Sequence, residues 1–374
     1  MTTNTGHEVA LPSHIDVEAD ARVIKSVADK TIQTILNKRA EMDRAGLQDE
    51  PLIVVHGENH TMTGHKLHLM AVLDGLNQAR ESCLMAFETQ HDLLIQDYAV
   101  EGGYRRTVES DNALRRQDRE RAGALTLQNY KAFYGSSKSD HAHKTVMQYC
   151  HQTGTPSVFT DAATRSDGYL DKNDPATRDS IASCRGKLRS LLRISSKEPE
   201  GVHVRNHHML NCARETAKQY DSRIILQQTG NAHVVGHSLF NDEPRHSQLV
   251  LSNKFFEAAL GHLPVSGPLP VTDDDMQLLE RYGVAQEDLS WCRLPQTLAS
   301  YDSFTDAPKG EADLQCRAAE AEYVGRILQA IGLGAHALSV EAYERQSKLD
   351  QQDLQQCFAA INRQTQAQPV AKPA

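Results

Sequence analysis

Aromatic residues make up only 5% of this chain, and tryptophan occurs once. No apolar run approaches the roughly 20 residues that cross a bilayer, the longest strongly aliphatic patch being Leu52–Val55. No membrane span is therefore expected. The seven cysteines are odd in number and none lies within four positions of another, which excludes CxxC redox or zinc motifs and disfavours a disulfide framework. They read as mostly buried small apolar residues. A basic surplus is missing too: the formal net charge is −9, whereas nucleic-acid affinity comes largely from Lys and Arg neutralising phosphates. No nucleic-acid partner is expected. The first residues lack the basic and apolar regions of a secretory signal, so a cytoplasmic location is the expectation, with signal-less secretion as an effector the other route. There is no GxSxG elbow and no GxxxxGK[ST] loop. His56-Gly-Glu-Asn-His60 is not a zincin motif, because the acid stands at the third position and Gly57 follows a strand.

What the chain has in excess is histidine, 18 in 374 residues. Their placement follows from the fold. Residues 1–49 read as a polar N-terminal extension with one amphipathic helix, Val17–Arg44, carrying Val23, Val27, Ile32, Ile35 and Leu36 at near-helical spacing. From Pro51 short aliphatic runs alternate with amphipathic stretches, the pattern of βαβ units. Four strands are predicted: Leu52–His56, Cys83–Phe87, Ser157–Asp161 and Arg223–Gln227. Helices are predicted over Gly64–Arg80, Asp140–His151 and His203–Tyr220. The fold class is therefore α/β, a mainly parallel central sheet flanked by helices. The core spans 50–251 with a helical insertion at 92–135, followed by a helical C-terminal region at 252–363 and a disordered tail at 364–374.

Parallel strands joined by right-handed crossovers share one C-terminal edge, where ligands bind in open α/β sheets. Glu58 and His60 follow the first strand, Glu88 the second, Asp161 ends the third, and Asn231 and His233 follow the fourth. The helices that start at this edge bring His65 and His68, His141 and His143, and the group His203, Arg205, Asn206 and His207. Carboxylates and imidazoles in reach of one another can hold a divalent metal that acidifies a bound water. Equally, one of them can act directly as a general base. Either route is hydrolysis of a small-molecule or peptide substrate, with Arg205 and Asn231 available to a developing oxyanion. The mixed charge run Arg105–Arg121 reads as a solvated helix face.

Val55-His-Gly-Glu-Asn-His60, Phe87-Glu88, Arg205-Asn-His-His-Met209 and Thr229-Gly-Asn-Ala-His-Val-Val-Gly236 resemble the superfamily of ChaN-like haem-uptake proteins, erythromycin esterases and TIKI/TraB proteins, over about residues 50–240. The resemblance implies an α/β sandwich with its site at the strand ends. It makes Glu58, His60, Glu88, His233 and Arg205 the catalytic candidates. Glu58, His60, Glu88 and His233 are also the candidate ligands of zinc, manganese or iron. Asp161, Asn231, His65, His68, His203 and His207 become substrate-binding candidates. The expected activity is a peptidase- or esterase-type hydrolase, metal-dependent in its first form. Two other outcomes follow from the same superfamily and fold: a haem- or iron-binding protein without turnover, with Tyr98, Tyr104 and Tyr134 as further ligands, and a delivered effector or toxin. No anchor is expected, a departure from anchored relatives, and the C-terminal third matches no pattern of the superfamily.

Overall fold

The computed structural model describes residues 11, 13, 15–58, 63–90, 94–95, 141–165, 167–191, 193–230, 233, 248–251 and 311–337. Helix α1 (Val17–Arg44) starts where the Asp16 carboxylate accepts the Ala19 N–H at 2.9 Å, with Glu18 and Asp20 in the first turn complementing the helix dipole. It is followed by strand β1 (Leu52–Glu58), helix α2 (Thr63–Gln78), strand β2 (Cys83–Gln90) and a two-residue strand β3 (Leu94–Ile95). Then come helix α3 (His141–Thr153), strand β4 (Ser157–Asp161), helix α4 (Pro175–Ser183), helix α5 (Pro199–Gln219), strand β5 (Ile224–Gly230), strand β6 (Gln248–Leu251) and helix α6 (Glu311–Ala330). Prolines at the first turns of α4 and α5 fit positions that need no intrahelical N–H.

The six strands order as β3-β4-β2-β5-β1-β6. All neighbours pair in parallel except β3, which runs antiparallel to β4. The α/β class with a mainly parallel sheet flanked by helices is as expected, and two strands join the four expected ones. β3 falls inside the segment expected to be helical, and the rest of 92–135 lies outside the described residues. Of the C-terminal region expected to be helical, 311–337 is described and contains α6. Residues 364–374 lie outside the description.

One sheet face packs α1, α2, α3 and α6 over Leu52, Val54, Met85, Phe87, Phe159 and Leu226. The other face packs α5 over Ile53, Val55, Leu84, Ala86, Val158 and Ile225. This division follows from connection handedness. The chain moves outward from β1 to β2 to β4 with α2 and α3 on one face, then returns from β4 to β5 and must place α5 on the other. Adjacent strands β2 and β4 therefore send their continuations to opposite faces, leaving a crevice between their C-terminal ends. Cys83, Cys150 and Cys184 are buried and free, as small apolar residues are; burial pushes the Cys83 thiol up to about 12. Among the described residues no helix is long and apolar enough to cross a membrane.

Candidate functional site

The crevice between β2 and β4 is where acidic and basic side chains meet. The β2–β4 ladder runs from Phe87 opposite Phe159 to Gln90 opposite Asp161, so β2 carries one more residue than its partner. Such a bulge re-aims a side chain. Glu88 lies in it, and its carboxylate reaches β5 and α5. Oε2 accepts from the Gly230 N–H at 2.5 Å and from Thr229 Oγ1 at 3.0 Å. Oε1 accepts from Arg205 Nη2 at 2.6 Å and lies 3.1 Å from His233 Nε2.

Arg205, two turns into α5, forms a fork with the neighbouring strand. Its Nε and Nη2 donate to the two oxygens of Asp161, both at 2.8 Å. Its side chain is 15% exposed, against 9% for Glu88 and 6% for Asp161, so it is the most open member of the triad. Burial alone would lower the Arg205 pKa, but the hydrogen bonds and charges of Asp161, then Glu88, outweigh it and raise it. The guanidinium is locked in its charged form.

His233 is buried on the far side of Glu88. Asn206, the residue after Arg205, donates from Nδ2 to the His233 carbonyl at 3.0 Å, which fixes its amide orientation. Its Oδ1 then faces His233 Nδ1 in a close contact, making Nδ1 the donor nitrogen. Nε2 faces the Glu88 carboxylate, so both ring nitrogens meet acceptors. The result is a continuous chain from Asn206 through His233, Glu88 and Arg205 to Asp161.

Glu58 is elsewhere. The register pairs His56 with Gln228 and Gln228 with Phe87, so positions 56 and 58 share the α2 face and Glu88 takes the opposite one. Glu58 accepts from Gln228 Nε2 at 2.5 Å and lies 3.9 Å from Lys66 Nζ, with both charged side chains almost fully buried. His65 and His68 belong to this second group. His68 Nδ1 is 3.2 Å from His56 Nε2, His68 Nε2 is 3.1 Å from Thr31 Oγ1, and His65 meets the His56 ring edge-on at 6.2 Å. Desolvation lowers the His56 pKa to about 4, against the Glu58 charge that raises it; burial also holds His68 well below its usual value.

The structure thus brings Glu88, Asp161, Arg205 and His233 together and sets Glu58, His65 and His68 on the other face. His207 turns to Asn211 one turn along α5, at 3.0 Å, and His203 precedes it by one turn. His60 and Asn231 lie outside the described residues, as do Tyr98, Tyr104 and Tyr134 and the side chains of His141 and His143. Among the described residues no three His, Cys, Asp or Glu side chains are grouped to hold a metal ion. The donor chemistry agrees: both Glu88 oxygens are engaged, and the cation beside each glutamate is a side chain, Arg205 or Lys66. Of the four candidate ligands, Glu88 and His233 meet each other while Glu58 lies on the other face, and His60 is outside the described residues. Sequence reasoning missed Lys66, Gln228 and Thr229 as members of the two groups. Lys66 was visible as the one Lys or Arg of α2, beside Leu67, Leu69 and Met70.

No family model matches the chain, and no curated protein or solved structure is significantly similar to it.

Proposed function

We propose that the chain is a hydrolase that activates water at the β2–β4 crevice and acts on an ester, amide or peptide bond. The observation that supports this reading best is the chain Asn206–His233–Glu88–Arg205–Asp161, assembled from four elements at the switch point of the sheet. His233 is the proton carrier. Asn206 dedicates Nδ1, which leaves Nε2 to exchange a proton with a water or leaving group that takes the place of Glu88 Oε1. Arg205, held by Asp161, offers fixed positive charge to a substrate carbonyl as it becomes an oxyanion. Glu88 holds both groups in register. The resemblance to erythromycin esterases and TIKI/TraB proteins points to the same reaction class.

The test is a panel of ester, amide and peptide substrates with the wild type, His233→Ala and Arg205→Ala, folding being checked by circular dichroism. Loss of ~10²–10⁴-fold in kcat/KM is expected for His233→Ala. A loss of ~10²-fold or more is expected for Arg205→Ala. Chelator should leave activity unchanged. Stoichiometric metal that is lost in both Glu88→Gln and His60→Ala would replace this form of the mechanism with the metal-dependent one. No turnover on any substrate class would overturn the reading.

A further inference from the structure

Buried at one end of the sheet, the Glu58–Lys66 pair depends on where the first turn of α2 is held. Lys66 sits in that turn, three residues after Thr63, and its Nζ is 3.9 Å from Glu58 Oε1. The attraction between buried charges falls off with distance in a medium that screens weakly, so a small displacement of the turn alters it. The first turn of a helix also has N–H groups without intrahelical acceptors, and its position is set by what meets it there.

What meets it is a carboxylate from far along the chain. Thr63 Oγ1 donates to Glu320 Oε1 of α6, and both side chains are fully buried. Glu320 is itself rigidly placed. Tyr323, Val324, Ile327 and Leu328 of the same helix are inaccessible to solvent and pack into the cluster that holds α2. Tyr323 Oη donates to Asp20 Oδ2 at 2.7 Å, tying α6 to α1. A negative charge at the N-terminal end of α2 also complements that helix's dipole.

We infer that Glu320, supplied by the C-terminal region, is a positioning residue for the Glu58–Lys66 pair, acting through Thr63 on the first turn of α2. Glu320 touches no reacting atom in this scheme. It sets where Lys66 stands.

The experiment is hydrogen exchange in the full-length protein at the amides of residues 67–69, which close the first turn of α2, in Glu320→Ala, Thr63→Val and Glu320→Gln. Glu320→Ala and Thr63→Val should each speed exchange there by tenfold or more while the amides of α1 and α6 stay protected. Glu320→Gln, which keeps an acceptor for Thr63, should restore most of the protection. Tyr323→Phe is the control, lowering Tm without selective exchange in α2. Wild-type exchange at 67–69 in both Glu320→Ala and Thr63→Val overturns the proposal, as does acceleration spread evenly over α1, α2 and α6. If Glu320→Ala fails to fold, Thr63→Val decides alone.

Discussion

At the scale of single residues, burial gives the histidines opposite duties. His56 and His68 are buried, and desolvation makes the neutral ring the stable form, with His56 at about 4 and His68 well below its usual value. An unfolded chain titrates these rings near 6.5. Between pH 6.5 and 4 the unfolded state therefore binds more protons than the folded one, and stability falls as pH falls. His56 alone accounts for on the order of 3 kcal/mol across that window. Urea unfolding at pH 7.5, 6 and 4.5 should show this decline, and His56→Asn should flatten it; a pH-independent midpoint in the wild type would sink the idea. His233 is held differently, with acceptors flanking both of its nitrogens. Asn206→Ala strips the partner from Nδ1 and from the His233 carbonyl, and should lower stability by roughly 1–3 kcal/mol. Unfolding of this variant by urea at pH 7.5 measures it, and an unchanged midpoint would show that Asn206 does not hold the ring.

Elements position these residues through contacts that leave little slack. Gly201, in the first turn of α5, has no room for a side chain: a Cβ there would stand 1.9 Å from the Ser195 carbonyl oxygen. Gly201→Ala must push α5 away from the 195–196 segment, one turn from Arg205. A loss of roughly 1–3 kcal/mol is expected from the overpacking, along with weakened activity, since the Arg205 fork to Asp161 tolerates little movement. Thermal unfolding and kcat/KM measured together would show it, and a variant normal in both would mean that the turn adapts. Much of this geometry was legible in the sequence. Aliphatic runs marked β1, β2, β4 and β5, and the strand-end rule then put Glu88, Asp161 and His233 at one edge. What was not legible is which face each residue takes. β1 was expected to stop at His56, yet Gly57 and Glu58 continue the ladder opposite Thr229 and Gly230. Gly and Glu are poor strand formers alone, but a central strand with neighbours on both sides carries them. Register between strands is a tertiary property, so no local pattern could show that Glu58 faces α2 while Glu88 faces α5. β3 and β6 escaped for a simpler reason: two and four residues are too short to show a period.

Seen whole, the molecule is wrapped on one face by elements from both ends of the described chain. α1 is tied to the start of β1 by Arg39, a buried guanidinium that donates to the carbonyl oxygens of Leu47 and Glu50 at 2.7 and 2.6 Å and to Asp43 at 2.9 Å. Asp43 in turn accepts from Arg223 at 2.6 Å, next to the start of β5. α6 closes the same face, and the sequence expectation of a helical C-terminal region did not show that it would enter the core. Its Tyr323, Val324, Ile327 and Leu328 belong to the same buried cluster as α2 and α3. Burying side chains of this size stabilises by about 1.5–3 kcal/mol each, together on the order of 6–12 kcal/mol. Native domains are stable by only about 5–15 kcal/mol. A chain ending at residue 310 should therefore show no cooperative unfolding transition, because removing α6 strips away most of that margin and leaves the Thr63 contact unmade. Leu328→Ala is the milder form of the same experiment, with an expected loss of roughly 2–5 kcal/mol. If the shortened chain unfolds cooperatively at the wild-type Tm, α6 is an accessory to the α/β core and not part of it.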